Sequence, residues 1–205
     1  MLSAEDRNLL YDALATRIHS LQGGYLSDSP AAKGTLAGLR RGTGDPQTWG
    51  EVVETLPPEL AGRGDAMSLP EQAAAAALQF YALHQQGRTE PMHRPGTGLG
   101  QALRAVIRSH DAGEAGINRR LSSVLTATTL GESTHHLRGL VTQLRSAQQP
   151  VDHARLGVDI ALLADPRTAQ GVRLRWVRAF RAMTRGDQAP DPNPTAEAPA
   201  TSQEG

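Results

Sequence analysis

The chain has 205 residues, enough for one large domain or two small ones, each with a core of its own. It contains no cysteine, which excludes disulfide scaffolds, thiol catalysis and thiolate zinc sites. Only 3% of the residues are aromatic, and alternating β-type runs closed by Asn-Gly or Asp-Gly turns do not occur. The sequence therefore predicts an all-α fold of about nine helices, with a core of Leu, Val, Ile and Ala.

The formal net charge is zero, but the charges are unevenly distributed along the chain. The balance is −3 over residues 1–99, +7 over residues 100–186 and −4 over residues 187–205. A basic second half predicts a polyanionic partner. The final segment has only acidic charges, four prolines and no large apolar residue, so it cannot bury enough surface to order itself. We predict a disordered acidic tail there.

Two helices are predicted in the first 42 residues. Ser3 is a candidate N-cap, and the helix that follows is predicted to end at Gly23-Gly24. The pair Ser29-Pro30 begins a second, shorter helix that ends at Gly42. Arg40 and Arg41 lie in its last turn, where they either complement the negative end of the helix dipole or contact a ligand.

The next helices are marked by proline and by a capping box. Asp45-Pro46 restarts the chain, and the helical spacing that follows predicts that Trp49 lies in the core. Ser68-x-x-Glu71 is a capping box, and the alanine run 73–77 behind it favours a helix with a smooth face. Residues 87–98 hold two prolines and three glycines, which predicts a boundary between lobes. We predict an N-terminal lobe over 1–90, an arginine-rich lobe over 91–186 and the tail over 187–205.

Three consecutive helices between residues 99 and 145 each carry arginines beside an apolar face. Residues with helical spacing form the three apolar faces: Leu99, Leu103, Val106, Ile107 and His110, then Ile117, Leu121, Val124, Leu125 and Thr128, then Leu137, Leu140, Val141 and Leu144. The arginines lie on other faces of the same helices: Arg104 and Arg108, Arg119 and Arg120, and Arg138 and Arg145. No matching acidic stripe accompanies them.

Motifs of catalysis and of cofactor binding are weak or missing. Gly96-x-Gly98-x-Gly100 follows no strand and lacks the spacing of a phosphate loop, so it is more typical of a hinge. The pairs Glu90/His93 and Glu132/His135 have Glu-x-x-His spacing, but prolines flank the first and two further facing glutamates are not evident. No nucleophile elbow occurs. We expect neither an enzyme nor a cofactor or metal site.

The N-terminus carries acidic residues where a signal peptide needs basic ones, and no apolar run reaches 18 residues. We therefore expect a cytoplasmic protein with no membrane partner.

Several short segments together resemble the CasB family, the small subunit of the type I-E CRISPR Cascade complex. They are spread in order over most of residues 36–180: LAGLRRG (36–42), ALHQ (82–85), LGQALR (99–104), the RRL segment from Arg119, HLRGLVTQLR (136–145), PVDHARLGVDIALL (150–163) and RLRWVRAF (173–180). The resemblance implies a two-lobed helical protein that associates as a pair within a crRNA-guided complex. Its implied partners are the large subunit, the backbone subunits, the crRNA and the target DNA.

The same resemblance implies that basic positions hold the target and displaced strands of the R-loop. The candidate nucleic-acid-binding residues are Arg40, Arg41, Arg104, Arg108, Arg119, Arg120, Arg138 and Arg145, followed by Arg173 and Arg178. Arginine stripes without base-reading residues suit phosphates, which position a strand and carry no sequence information.

Two other functions stay open on the sequence alone. A DNA-binding regulator needs exposed Asn or Gln on a recognition helix, and the second-lobe helices lack them. A structural helical scaffold that binds acidic protein partners fits the arginines as well as a nucleic-acid subunit does, since guanidinium groups pair with carboxylates and phosphates alike.

Overall fold

The structure, a computed structural model, describes residues 2–42, 45–109 and 114–182. These ranges contain nine α-helices, one 3-10 turn at Pro58–Leu60 and no β-strand, which confirms the all-α prediction. In chain order the helices are α1 (Ala4–Leu26), α2 (Pro30–Arg41), α3 (Pro46–Thr55), α4 (Leu69–Gln85), α5 (Leu99–Ser109), α6 (Glu114–Thr126), α7 (Leu130–Ser146), α8 (His153–Leu163) and α9 (Pro166–Arg181). The predicted tail, residues 187–205, and His110 lie outside the described residues.

The predicted helix starts are confirmed by their caps. The Ser3 hydroxyl accepts a hydrogen bond from Asp6 N, and Ser3 N donates to the Asp6 carboxylate, both over 2.9 Å. Ser68 and Glu71 form the same reciprocal pair at the start of α4. Each box satisfies two amide groups that have no partner within the helix. Short local motifs therefore determine where these two helices begin.

Two predictions about the N-terminal region are wrong. α1 does not end at Gly23-Gly24 but continues to Leu26, and its last turn is held by Tyr25, whose hydroxyl accepts a hydrogen bond from Gly87 N over 3.0 Å. Trp49 is not in the core, because 45% of it is exposed. The short helix α3 buries Val52, and Trp49 lies on a neighbouring, outer face.

The helix α8 lies at the centre of the molecule and packs against both α1 and α4. All its residues except Arg155 are buried. Gly157 permits the close approach, because a Cβ at this position would lie 2.4 Å from Leu14 Cδ1 and 3.0 Å from Ala77 Cβ. One hydrophobic core therefore joins helices from both sides of the predicted lobe boundary. The position of that boundary stays a prediction.

The remaining helices form two close pairs, α5 with α9 and α6 with α7. At the first contact, a Cβ on Gly100 would lie 2.2 Å from the Trp176 carbonyl oxygen, so only glycine allows α5 to begin against α9. The predicted apolar face of α7 is confirmed, since Leu137, Leu140, Val141 and Leu144 are fully buried. The prediction that Thr128 faces inward is wrong: α6 ends at Thr126, so Thr128 is not on that helix and is exposed.

The proline- and glycine-rich segment before α5 is attached to the segment before α8. His93 and Val151 form an isolated β-bridge, Asp152 N donates to Thr97 O over 2.8 Å, and Gly96 N donates to the Asp152 carboxylate over 2.8 Å. The Asp152 side chain also caps α8 through Arg155 N. In the described part of the chain, no helix has the length and apolar character needed to cross a membrane.

Candidate nucleic-acid interface

The α6–α7 pair presents three exposed arginines, which we name the α6–α7 basic surface: Arg119, Arg120 and Arg138. Arg120 crosses from α6 to α7, and the point where a Cβ on Gly139 would lie is 3.4 Å from Arg120 Cδ. The absence of a side chain at Gly139 therefore lets Arg120 lie against α7. Among the described residues, none accepts a hydrogen bond from these three guanidinium groups, and none forms an ion pair with them.

A second group of arginines gathers where α2, α4 and α7 end. We name it the basic corner, formed by Arg40, Arg41, Arg88 and Arg145. Burial lowers the pKa of Arg40, the neighbouring Tyr25 opposes this, and the charges of Arg145 and Arg41 lower the pKa further. Arg88 and Arg145 likewise lower the pKa of the buried His84. The structure therefore brings Arg40 and Arg145, 105 positions apart, into one electropositive region.

Two residues of the basic corner also have partners within the fold. Arg145 Nε donates to the carbonyl oxygen of Gln86, just after the end of α4, over 3.0 Å. Arg41 pairs with Asp45 and donates to Gln47 Oε1 over 3.2 Å. Carbonyl groups at helix C-termini carry partial negative charge, so Arg145 stabilises the end of α4. Arg41 links the end of α2 to the start of α3 through Asp45, the N-cap of α3. Of the two explanations for Arg41, the contact with Asp45 supports a structural role.

The arginines of α5 and α9 occupy other positions. Arg104 is half-buried and Arg108 is exposed on α5, which packs mainly against α9. Arg173 donates from Nη2 to the carbonyl oxygen of Ala127 over 2.6 Å and so fastens α9 to the α6–α7 connection. Arg178 is exposed on α9. Arg173 is therefore a structural residue in this fold.

Sequence reasoning missed three arginines that the structure places beside ligand-sized space or beside other guanidinium groups. Arg88 follows α4 in the glycine- and proline-rich segment and joins the basic corner only through tertiary packing. Arg155 and Arg175 lie on different helices and converge on Asp159, with Arg155 Nε 3.6 Å and Arg175 Nη2 2.5 Å from Oδ1. The four-residue spacing of Arg155 and Asp159 on α8 was the only local signal for this cluster.

One member of each Glu-x-x-His pair, Glu132 and His93, has a structural role. Glu132 accepts hydrogen bonds from Thr128 N over 2.8 Å and lies 3.9 Å from His136, so it caps α7. His93 is buried and its Nδ1 accepts from His153 N over 3.1 Å, whereas Glu90 is exposed. Within residues 2–42, 45–109 and 114–182, no group of three or more His, Asp or Glu could hold a metal ion.

The comparisons with known proteins agree with this architecture. A family model described as CRISPR-associated protein Cse2 matches residues 35–180. The chain belongs to the Cse2 family. Cse2 membership implies a subunit of the CRISPR Cascade complex, partnered by other Cascade components, in a family not known for catalysis. Among curated proteins, none matches the sequence.

Three solved structures have the same fold as this Cse2 chain. CasB from Thermobifida fusca is 34% identical with a TM-score of 0.73, and the match covers 85% of this chain and 98% of that one. A CRISPR-associated protein of the Cse2 family from Thermus thermophilus is 22% identical with a TM-score of 0.62, covering 83% and 96%. A structure of CasB from Thermus thermophilus is 23% identical with a TM-score of 0.60, over the same shares of the two chains.

Proposed function

We propose that this chain is a non-catalytic, nucleic-acid-binding subunit of a cytoplasmic, crRNA-guided type I-E Cascade complex. In this role it stabilises the target and displaced DNA strands of the R-loop through arginine–phosphate contacts. The supporting observation is the α6–α7 basic surface, whose exposed guanidinium groups have no acidic partner among the described residues. Charged groups that do not stabilise the fold are available for a polyanion.

Arginine suits this task because its planar fork of N–H donors binds two phosphate oxygens at once. Such contacts position a strand without reading its bases. In a crRNA-guided complex the sequence is read by base pairing, so a subunit that holds strands needs charge and shape only. The basic corner supplies further positive charge through Arg40, Arg88 and Arg145.

Family membership supports the remaining partners that we propose. We propose that the chain contacts the large subunit and the backbone subunits, and that two copies associate as a pair within the complex. The crRNA and the target DNA are the nucleic acids it meets.

The experiment that tests this function is target binding by the reconstituted Cascade complex. Arg119→Ala with Arg138→Ala removes two positive charges from the α6–α7 basic surface. Lys33→Ala with Arg63→Ala removes the same charge from exposed positions on α2 and before α4, and serves as the matched control. We expect the first variant to weaken DNA binding and R-loop formation to the same extent for every guide and target, and the control to behave as the parent.

The subunit composition of the purified complex distinguishes this function from that of a scaffold that binds acidic proteins. If the arginines contact protein carboxylates, the Arg119/Arg138 variant is depleted from the purified complex, and DNA binding falls only in proportion to the missing subunit. If they contact phosphates, the variant assembles at the parental stoichiometry and binds DNA more weakly. Full assembly with unchanged DNA binding contradicts the proposal.

A further inference from the structure

A basic trough runs between α1, α8 and α9, apart from the basic surfaces described above. It consists of two adjoining cavities of about 410 and 370 Å³, which share Tyr11, Arg155 and Arg175 as lining residues. Arg7 lines the second cavity, and Ala179 lines the first. We name it the α1–α8–α9 trough.

A buried carboxylate holds the arginines of the trough in place. Asp159 is only 3% exposed, and its Oδ2 accepts a hydrogen bond from Trp176 Nε1 over 2.7 Å. Its Oδ1 accepts from Arg175 Nη2 over 2.5 Å and lies 3.6 Å from Arg155 Nε. Both arginine side chains keep nearly half of their surface exposed. A guanidinium group has five N–H donors, so both retain donors that can bind an additional anion.

The trough is electropositive toward solvent. Arg7 uses Nε to reach Ser3 O over 3.1 Å and adds a third guanidinium group at the end near the start of α1. The second carboxylate of the lining, Asp152, is 2% exposed and already accepts hydrogen bonds from Tyr11 Oη, Gly96 N and Arg155 N. The two carboxylates are therefore buried and hydrogen-bonded, whereas the three guanidinium groups line open space.

We propose that the α1–α8–α9 trough is a binding site for an acidic peptide, and that its occupant is the tail of this chain, residues 187–205. The described chain ends at Ala182, three residues after Ala179, which lines the trough. The five residues from there to Asp187 span up to roughly 17 Å when extended. Arg175 lies about 10 Å back along α9. The first carboxylate of the tail therefore reaches the arginines.

The composition of the tail matches the trough. It carries the four carboxylates Asp187, Asp191, Glu197 and Glu204, no basic residue and no large apolar side chain. An open trough with arginines along it offers carboxylates bidentate partners. Half-exposed ion pairs are individually weak. Attachment of the tail to α9 compensates for the weakness of the individual ion pairs, because a short linker holds the tail at an effective concentration near the millimolar range.

A binding experiment with a fluorescent peptide of residues 187–205 tests this proposal. The chain truncated after Gly186 has an empty trough, so it binds the peptide saturably and more weakly as salt rises. The full chain binds it at least tenfold more weakly, because its own tail occupies the trough. Arg7→Ala with Arg155→Ala in the truncated chain abolishes binding, and Lys33→Ala with Arg63→Ala leaves it unchanged. A peptide with Asn and Gln in place of its four acidic residues does not bind.

The outcomes that overturn the proposal are specific. The trough is not the site if the truncated and full chains bind the peptide equally, or if the truncated chain does not bind it. If single-stranded DNA binds the truncated chain through Arg7 and Arg155 and the peptide does not, the trough serves phosphates and the tail has no part in it. If Arg155→Ala unfolds the chain, Arg7→Ala alone takes the place of the double variant. It removes only a contact to Ser3 O, so the chain stays folded and a loss of peptide binding still reports on the trough.

Discussion

His84 Nδ1 lies 2.9 Å from His153 Nε2 between α4 and α8, and neither residue is exposed to solvent. Burial lowers the pKa of His84 to about 4 and holds the pKa of His153 well below its usual range. Burial also lowers the pKa of the neighbouring His93, although Asp152 opposes it. Three histidines that are neutral in the folded chain therefore meet in the core.

This arrangement predicts that mild acid destabilises the fold. The unfolded chain takes up protons near pH 6.5, whereas folded His84 takes one up only near pH 4, so stability present above pH 6.5 is lost as the pH falls between these values. For His84 alone the loss is about 2 kcal/mol at pH 5 and reaches roughly 3 kcal/mol only below pH 4. Urea unfolding at pH 7.5, 6 and 5 measures it. We expect His84→Gln to flatten the pH dependence of the free energy of unfolding, and the control substitution at an exposed site, His135→Gln, to preserve it. An equal free energy of unfolding of the parent chain at pH 7.5 and pH 5 contradicts the account.

The contact between α5 and α9 predicts opposite effects for two glycine substitutions. Gly100→Ala places a Cβ against the Trp176 carbonyl oxygen, which belongs to backbone and cannot move aside, so we expect a loss of about 1–3 kcal/mol. Gly171 lies inside α9, and a Cβ added there would meet no atom within 4 Å, so Gly171→Ala raises stability by up to about 1 kcal/mol. Thermal and urea unfolding of both variants provide the comparison, and a neutral Gly100→Ala contradicts the close helix contact.

Arg138 and Arg145 lie seven residues apart on α7 but differ in their contacts. Arg145 donates to Gln86 O, so Arg145→Ala should cost about 1 kcal/mol of stability. Arg138 has no hydrogen-bond partner among the described residues, so Arg138→Ala should change stability by less than about 0.5 kcal/mol. Unfolding curves of the two single variants separate these effects. Equal losses show that Arg138 also stabilises the fold.

Local sequence signals predicted the helices and much of the core. Capping boxes fixed the starts of α1 and α4, and helical periodicity identified the buried face of α7. The same reasoning misplaced Trp49, because a short helix buries only part of its apolar pattern and periodicity does not state which part. The Gly23-Gly24 pair failed as a stop signal because tertiary contacts extend α1 beyond it.

The candidate sites depend on contacts that no local pattern contains. The basic stripe on α7 could be seen in the sequence, but the meeting of Arg40 with Arg145 arises from three helices that end together. The pairing of Arg155 and Arg175 through Asp159 joins α8 to α9 in the same way. Arginine counts also did not show which guanidinium groups are engaged within the fold, as Arg173 is.

The salt dependence of single-stranded DNA binding tests the central claim most directly. Each phosphate contact that is lost should make the slope of log affinity against log salt shallower by roughly 0.7, so Arg119→Ala with Arg138→Ala reduces the slope by about 1.4. Affinity falls equally for all sequences, and the thermal melt stays within about 0.5 kcal/mol of the parent. The titration is made with the isolated chain and with the reconstituted complex. A folded variant with the parental salt slope in both contradicts phosphate binding by the α6–α7 basic surface.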